Sequence, residues 1–499
     1  MLGPDRIHEG LPSNREIIRL FQNFKAQLHT FTPILSDINQ FEKQVCDFID
    51  QRFSLKSTNQ TFNKLSILWL SLLYSILASG SQFKDVPHVQ RTSESIRYLH
   101  YSFRCLSYAD FLVHPTIESL ETLLVLGNVL QNLMKPQAAW ILLGTTSRIA
   151  QSLGIHRTSL GEPLSRDKKL WLSVIWQDSL LSLSFDRLPT TTEVPRSSER
   201  TLSGPGLTYV EAMYALLWGA GRAFSIKSND SSYAEVLDIV NDISAIHGKT
   251  QLHLRSVEDC DTIQQRCEHH ALQLHTSFVA GWFSTRAFRR NECLNDQDQA
   301  RSQLAAAGKE CLTRSLEAYL KLCPISLQAS RSWAFIHNGL SSALVLGLIG
   351  ETKTNPKVRR LQGALIDTLS NGFDNTGADR GIDGDIFLSP HHERALMALK
   401  NLFNEQTSRT QAVTERHDIS SPVFPSEVPH ESANTTLIAS PREQLEGTIN
   451  HPEESQDPAV LTDFSDIGPM EMFDSIIWDP NIDLNGLQYM NTITQPWNF

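Results

Sequence analysis

The chain has 499 residues, 40% of them hydrophobic, with 44 basic and 55 acidic side chains; this is enough to bury one large core or two smaller ones. The charge is uneven: residues 405–499 carry sixteen Asp and Glu against Arg409, Arg416 and Arg442, a net of −13, which leaves +2 for residues 1–404. A near-neutral body without a basic stripe argues against tight autonomous binding to nucleic acid, because phosphate neutralisation supplies most non-specific affinity.

In chain order, Met1-Leu2-Gly3-Pro4-Asp5-Arg6 lacks the apolar core of a secretory signal. Ser13-Asn14-Arg15-Glu16 reads as a capping box, continued by Ile17, Leu20, Phe21, Phe24 and Leu28 as an amphipathic helix. The longest apolar stretch, residues 65–78, is broken by three serines and falls short of the ~20 residues a membrane span needs, so it predicts a buried core helix. Helical patterns recur near 38–50, 62–79, 90–111, 115–134, 137–153 and 165–184.

Between the last two, Pro136 is a first-turn proline, and Trp140, Leu143, Gly144, Ser147 and Ala150 lie on one narrow face. Gly144 costs about 1 kcal/mol of helix propensity relative to alanine, which predicts a close helix neighbour in compensation. Gly154 stands where a left-handed C-terminal cap belongs, with Ile155 folding back onto the last turn. Ser165 caps a second, antiparallel helix bearing Leu170, Trp171, Val174, Ile175 and Asp178 on one side. His156 and Arg157 read as cap or interhelix partners; Arg148 and Asp178 either pair across the helices or occupy polar faces.

Residues 186–208, with Pro189, Pro195 and Pro205, read as a long loop. Helices resume near 208–224, 232–246, 256–290, 297–321, 330–349, 356–370 and 390–403, with a glycine- and aspartate-rich loop over 371–389. No run of alternating β-branched residues and no internal repeat occurs, so the class is all-α. From 405 the composition shifts to Ser, Thr, Pro and Glu, too poor in apolar groups to offset chain entropy, which predicts disorder. The organisation is therefore a helical domain over 1–404 and an acidic tail over 405–499.

Within the tail, 461–499 differs again. Asp463-Phe464, Met470-Glu471-Met472-Phe473-Asp474, Ile476-Ile477-Trp478-Asp479 and Ile482-Asp483-Leu484 interleave acids with bulky apolar groups, and no Lys or Arg follows Arg442. Such patterns characterise activation segments, whose repelling carboxylates keep apolar groups solvated until a coactivator groove buries them. The same residues could instead form a helix docked on the protein's own body; the acidic excess favours activation.

The stretch from Ala138 to Pro189 resembles the signature of the fungal-specific transcription factor domain, best at Arg148, Ala150, Leu153, Gly154, His156, Arg157, Leu170, Trp171, Asp178, Arg187 and Pro189. Where that family commonly has a glycine-arginine-proline turn, this chain has Phe185-Asp186-Arg187-Leu188-Pro189. Looser likeness extends from Leu11-Pro12-Ser13 to Ser332-Trp333-Ala334-Phe335, covering about residues 10 to 404. The resemblance implies a nuclear transcription regulator, not an enzyme, with coactivators as partners of the tail, a homo- or hetero-dimer, and a small-molecule effector. It also implies DNA binding through an N-terminal zinc cluster of six cysteines. The seven cysteines here contain no C-x2-C pair, so zinc is expected only in a cluster missing upstream of these residues, or DNA is reached through a partner. Rival readings are a small-molecule-binding helical protein and a regulator that titrates full-length relatives by hetero-association.

No catalytic, cofactor or metal site is nominated. Cys260 and Cys267 with His269 and His270 stand two helical turns apart, too far to share one ion easily. The loop aspartates Asp379, Asp383 and Asp385 lack the bidentate glutamate of a calcium loop, since position twelve is Pro390 or Arg394. His391-His392-Glu393 lacks zinc-protease spacing, and the Gly-x-Gly pairs at 204–206 and 219–221 lack a third glycine.

Overall fold

The structure is a computed structural model that describes residues 7, 9–58, 67–157, 165–191, 206–225, 232–289, 298–371, 388–417 and 468–478. Among these residues there is no strand, only one isolated parallel bridge between Leu207 and Thr250. The all-α class read from the sequence holds, with eighteen α-helices among the described residues. The first seven are α1 (Asn14–Asn23), α2 (Ile38–Thr58), α3 (Ile67–Ser81), α4 (His88–Tyr108), α5 (Ile117–Asn132), α6 (Pro136–Ser152) and α7 (Arg166–Ser184). Then come α8 (Tyr209–Ser225), α9 (Tyr233–Ser244), α10 (Leu252–Arg255), α11 (Ile263–Ser284), α12 (Asp298–Leu322), α13 (Leu327–Arg331), α14 (Trp333–Leu348), α15 (Glu351–Thr354), α16 (Pro356–Asn371), α17 (Pro390–His417) and α18 (Pro469–Trp478). Helix α17 runs well past the end near 403 that the composition suggested.

Two helical layers meet across a single hydrophobic core that extends from Ile7 to Ile477. In the N-terminal layer α3 is the hub, packed against α1, α4 and α5; in the C-terminal layer α11, α12 and α14 play that part. Contacts of α5 with α14 and of α8 with α11 join the layers.

Helix α3 is buried from Leu70 to Ser81, as its apolar run predicts. Ser71 Oγ donates to Ser102 O of α4 at 3.1 Å and Ser102 Oγ to Ser71 O at 2.8 Å. Ser75 Oγ and Ser81 Oγ donate within the helix to Leu72 O and Leu77 O, each at 2.7 Å, and Ser79 Oγ is buried with no partner. No described helix is long and apolar enough to cross a membrane.

Ser13 caps α1 through Glu16 N, but the reciprocal half of the expected capping box is missing. Glu16 is drawn 2.8 Å from Lys84, which also holds Glu94 at 2.7 Å; a charged partner outcompetes a backbone amide. Gly154 takes φ +75° and Ile155 is buried beneath the turn, as a left-handed cap requires. Gly144 departs from expectation, because a Cβ there would meet nothing within 4 Å. Close helix approaches lie instead at Gly80, whose added Cβ would run into the Leu20 carbonyl of α1, and at Gly339, whose added Cβ would fall 2.5 Å from the Tyr319 ring of α12.

Arg148 and Asp178 do not pair. Arg148 is exposed and donates to Gln151 Oε1 at 3.2 Å. Asp178 is buried and accepts from Thr190 Oγ1, Thr191 N and Thr191 Oγ1, each at 2.9 Å, which pins the chain after Pro189 onto α7. Burial raises the Asp178 carboxyl, opposed by these threonine bonds. The turn between them uses Asp186 at φ +51° in place of glycine, a conformation Asp tolerates better than most residues. It sets Arg187 over the Trp140 ring at 4.6 Å.

Buried neutral histidines tie the fold to pH. His275 and His337 are enclosed, and burial pushes them down to about 4 and about 3. The unfolded chain binds their protons near pH 6.5 and the fold does not, so this stability is complete above 6.5 and lost as pH falls towards 4, at roughly 1.4 kcal/mol per pH unit for each. The melting temperature should fall between pH 7 and pH 5, and His337→Phe should flatten that slope; an unchanged slope in the variant would contradict the assignment.

Candidate functional site

The acidic-apolar segment singled out in the tail is the feature to which the structure adds most. Asp463, Phe464, Ile482, Asp483 and Leu484 lie outside the described residues, as do Asp379, Asp383 and Asp385 of the aspartate loop. Residues 469–478, expected to lack structure until a partner arrives, instead form α18, seated on α14, α17 and the 3-10 turn Thr285–Phe288. The local reason is legible: Met470, Phe473, Ile476 and Ile477 recur at helical spacing, Pro469 starts the first turn, and Glu471 sits where the helix dipole favours an acid.

The seat is apolar at its centre and cationic at both ends. Met470, Met472, Phe473, Ile476 and Ile477 are all buried. Phe473 meets Trp282 of α11 edge-on, centroids 5.2 Å apart. At one end Arg289 reaches Asp474 at 3.4 Å, Glu471 at 3.5 Å and Asp186 at 3.8 Å. Burial raises the Asp474 carboxyl, and Arg289 pulls it back down. At the other end Arg394 of α17 donates to Ile476 O at 3.1 Å and Ile477 O at 2.6 Å, placing a guanidinium on the carbonyls that a helix C-terminus leaves open.

The magnitudes nearly cancel. Burying five such side chains yields about 8–15 kcal/mol and the two Arg394 bonds about 3–6 kcal/mol. Ordering ten residues costs about 15 kcal/mol. A segment held this marginally can be exchanged for a competitor.

Beneath the seat lies a ring stack. Trp333, the first residue of α14, faces His337 at 4.6 Å and 13°, His392 at 5.4 Å and 19°, and Phe185 at 6.3 Å and 17°. His392 is fully buried with neither ring nitrogen hydrogen-bonded, and burial lowers it well below the usual histidine range. Its neighbour His391 bonds Arg394 at 2.8 Å and Gln137 at 3.1 Å. His392 thus joins the stack, and His391 joins the seat through Arg394.

Among the other sequence candidates, Cys260 and His269 share the His253 carbonyl, each 3.2 Å from it. Cys260 Sγ donates to His253 O at 3.2 Å and Cys267 Sγ to Ile325 O at 3.6 Å. His269 Nδ1 lies 3.1 Å from Leu254 O. Burial pushes the Cys267 thiol up to about 11. His156 packs edge-on against Trp171 at 6.1 Å. Sequence reasoning missed Arg289, Arg394 and Trp282, which stand 82 or more positions from the residues of α18 that they meet and carry no local signal.

Comparison with known proteins adds the following. The sequence model of the fungal specific transcription factor domain matches residues 17–304. Transcription factor macR of Penicillium terrestre is 30% identical over 89 residues, which cover 17% of this chain and 10% of that protein. Sorbicillinoid biosynthetic cluster transcription factor 2 of Penicillium rubens is 28% identical over 136 residues, 26% of this chain and 20% of that protein. An uncharacterized transcriptional regulatory protein of Schizosaccharomyces pombe is 24% identical over 151 residues, 30% and 23% of the two chains. The matched stretches thus span less than a quarter of those relatives. Among solved structures, the K. lactis CBF3 core is similar with a TM-score of 0.49 and 14% identity, over 81% of this chain and 87% of that one.

Truncating Phe473 removes the central anchor of α18, where Phe→Ala costs about 3–5 kcal/mol, as much as the seat can spare. Phe473→Ala should speed proteolytic cleavage within residues 469–478 by at least about tenfold while the body melts within a few degrees of the parent. Equal cleavage rates in the two proteins would contradict the described seat.

Proposed function

The chain belongs to the fungal specific transcription factor domain family, a family of transcription regulators, and from that premise we propose that it is a pathway-specific activator whose helical body holds its own acidic activation segment, 461–499, in check through α18. The observation that carries this reading is the double use of one face. The residues a coactivator groove would bury, Met470, Phe473, Ile476 and Ile477, are those buried against the body, so the two partners exclude each other. The near-cancellation of docking energies supports a reversible seat rather than a fixed structural helix.

The rest follows from the family and the composition. The protein acts in the nucleus, binds coactivators through the tail, and catalyses no reaction. It reaches DNA through a zinc cluster lying outside these 499 residues or through a partner, since its cysteines include no C-x2-C and its body is nearly neutral. Pathway specificity draws support from the relative named for a biosynthetic cluster.

The test is a reporter assay with three fusions to a heterologous DNA-binding domain: residues 405–499, the whole chain, and the whole chain carrying Arg289→Ala with Arg394→Ala. The tail should activate strongly and the whole chain weakly. The double variant should recover about tenfold, the effect of shifting the docking equilibrium by about 1.4 kcal/mol. Whole-chain output equal to that of the tail would remove the restraint. Silence from all three expressed fusions would remove activation and favour titration of relatives by hetero-association.

A further inference from the structure

A cavity of about 50 Å³ lies between α5, α7, α11 and α14, within the interface of the two layers. Four of the residues that line it carry a buried polar atom with no hydrogen-bond partner: Asn128 Nδ2, Gln177 Oε1, Gln328 Oε1 and Trp333 Nε1. Gln177, Gln328 and Trp333 are each at least nine-tenths buried. Buried polar groups are almost always satisfied, and each orphan carries its full desolvation cost. All four belong to residues that line this one small space. Two are donors and two are acceptors, so their complement must both accept and donate.

Charge narrows the class. No Asp, Glu, Lys or Arg lines the cavity, and its single ionisable side chain, His275, is bonded to Asn338 at 3.1 Å and held neutral by burial, which pushes it down to about 4. An ion placed there would lose its water with no countercharge. The volume admits about four water molecules, or an amide of about that many heavy atoms. We propose that this cavity is a binding site for a small uncharged ligand that presents a hydrogen-bond donor and acceptor together, as a primary amide does, between Asn128, Gln177, Gln328 and Trp333.

The site has a path to α18. Trp333 lines the cavity and also forms the ring stack with His337 and His392, and its helix α14 packs against α18. A ligand that engages the indole N–H therefore biases the ring on which the seat rests. This second step rests on the activation reading above; binding at the cavity does not.

Acrylamide is the probe, because it is a small uncharged primary amide that also quenches the two tryptophans at the cavity, Trp176 and Trp333. The whole chain is titrated with acrylamide, and with iodide as a charged quencher of similar size, while intensity and lifetime are recorded together. Binding predicts a saturable loss of intensity without loss of lifetime, with an affinity on the order of 1–10 mM for so few atoms, and no such component with iodide. The same component should disappear in Asn128→Leu with Gln328→Leu, whose melting temperature should hold or rise because two orphaned groups are gone. Intensity and lifetime falling together in the parent would leave the cavity to water and overturn the proposal, and so would a saturable component that survives in the folded variant. Neither result bears on the reporter assay, so the two readings fail separately.

Discussion

The stack centred on Trp333 is the interaction on which the remainder depends. One indole lies against rings from the end of α7, from its own helix α14 and from α17, so three elements distant in sequence share one buried contact. Burial disfavours charge on both His337 and His392, whose rings lie 5.8 Å apart. Trp333 also lines the cavity, and α14 and α17, which carry three of the four rings, receive α18. Rigid packing of this kind passes a displacement on rather than absorbing it.

Above the stack, the tail segment has a composition that suits two states. Its carboxylates keep it soluble when free, and two of them meet Arg289 when it is seated. Its apolar face is long enough to be worth burying and short enough that burial barely outweighs ordering. A longer helix would be locked in place, and a segment without Arg394 on its terminal carbonyls would not be held. On the proposed reading α18 is a reversible clasp, and the same arithmetic makes it sensitive to single substitutions.

Much of this was legible in the chain. Apolar periodicity located most of the long helices to within a few residues, because a buried face repeats every three or four positions whatever it packs against. But α2 and α17 run past their expected ends near 50 and 403, and the start expected near 256 falls on a 3-10 turn ahead of α11. Gly154 and Ser165 were readable as caps since caps are local. What was not legible is long-range competition. Glu16 answers Lys84 rather than its own cap, Asp178 answers the threonines after Pro189 rather than Arg148, and α18 finds its cations in Arg289 and Arg394. Composition pointed to disorder for the tail because it counts apolar residues without knowing that a groove waits for them. Whether Met470–Trp478 folds depends on that groove.

Amide hydrogen exchange across residues 469–478 in the whole purified chain tests this account most directly. Docking by about 2.7 kcal/mol or more predicts exchange at least about a hundredfold slower than for an unstructured peptide of the same sequence. Exchange at the unstructured rate would mean that α18 is not seated in solution and that the body does not restrain the tail by this route.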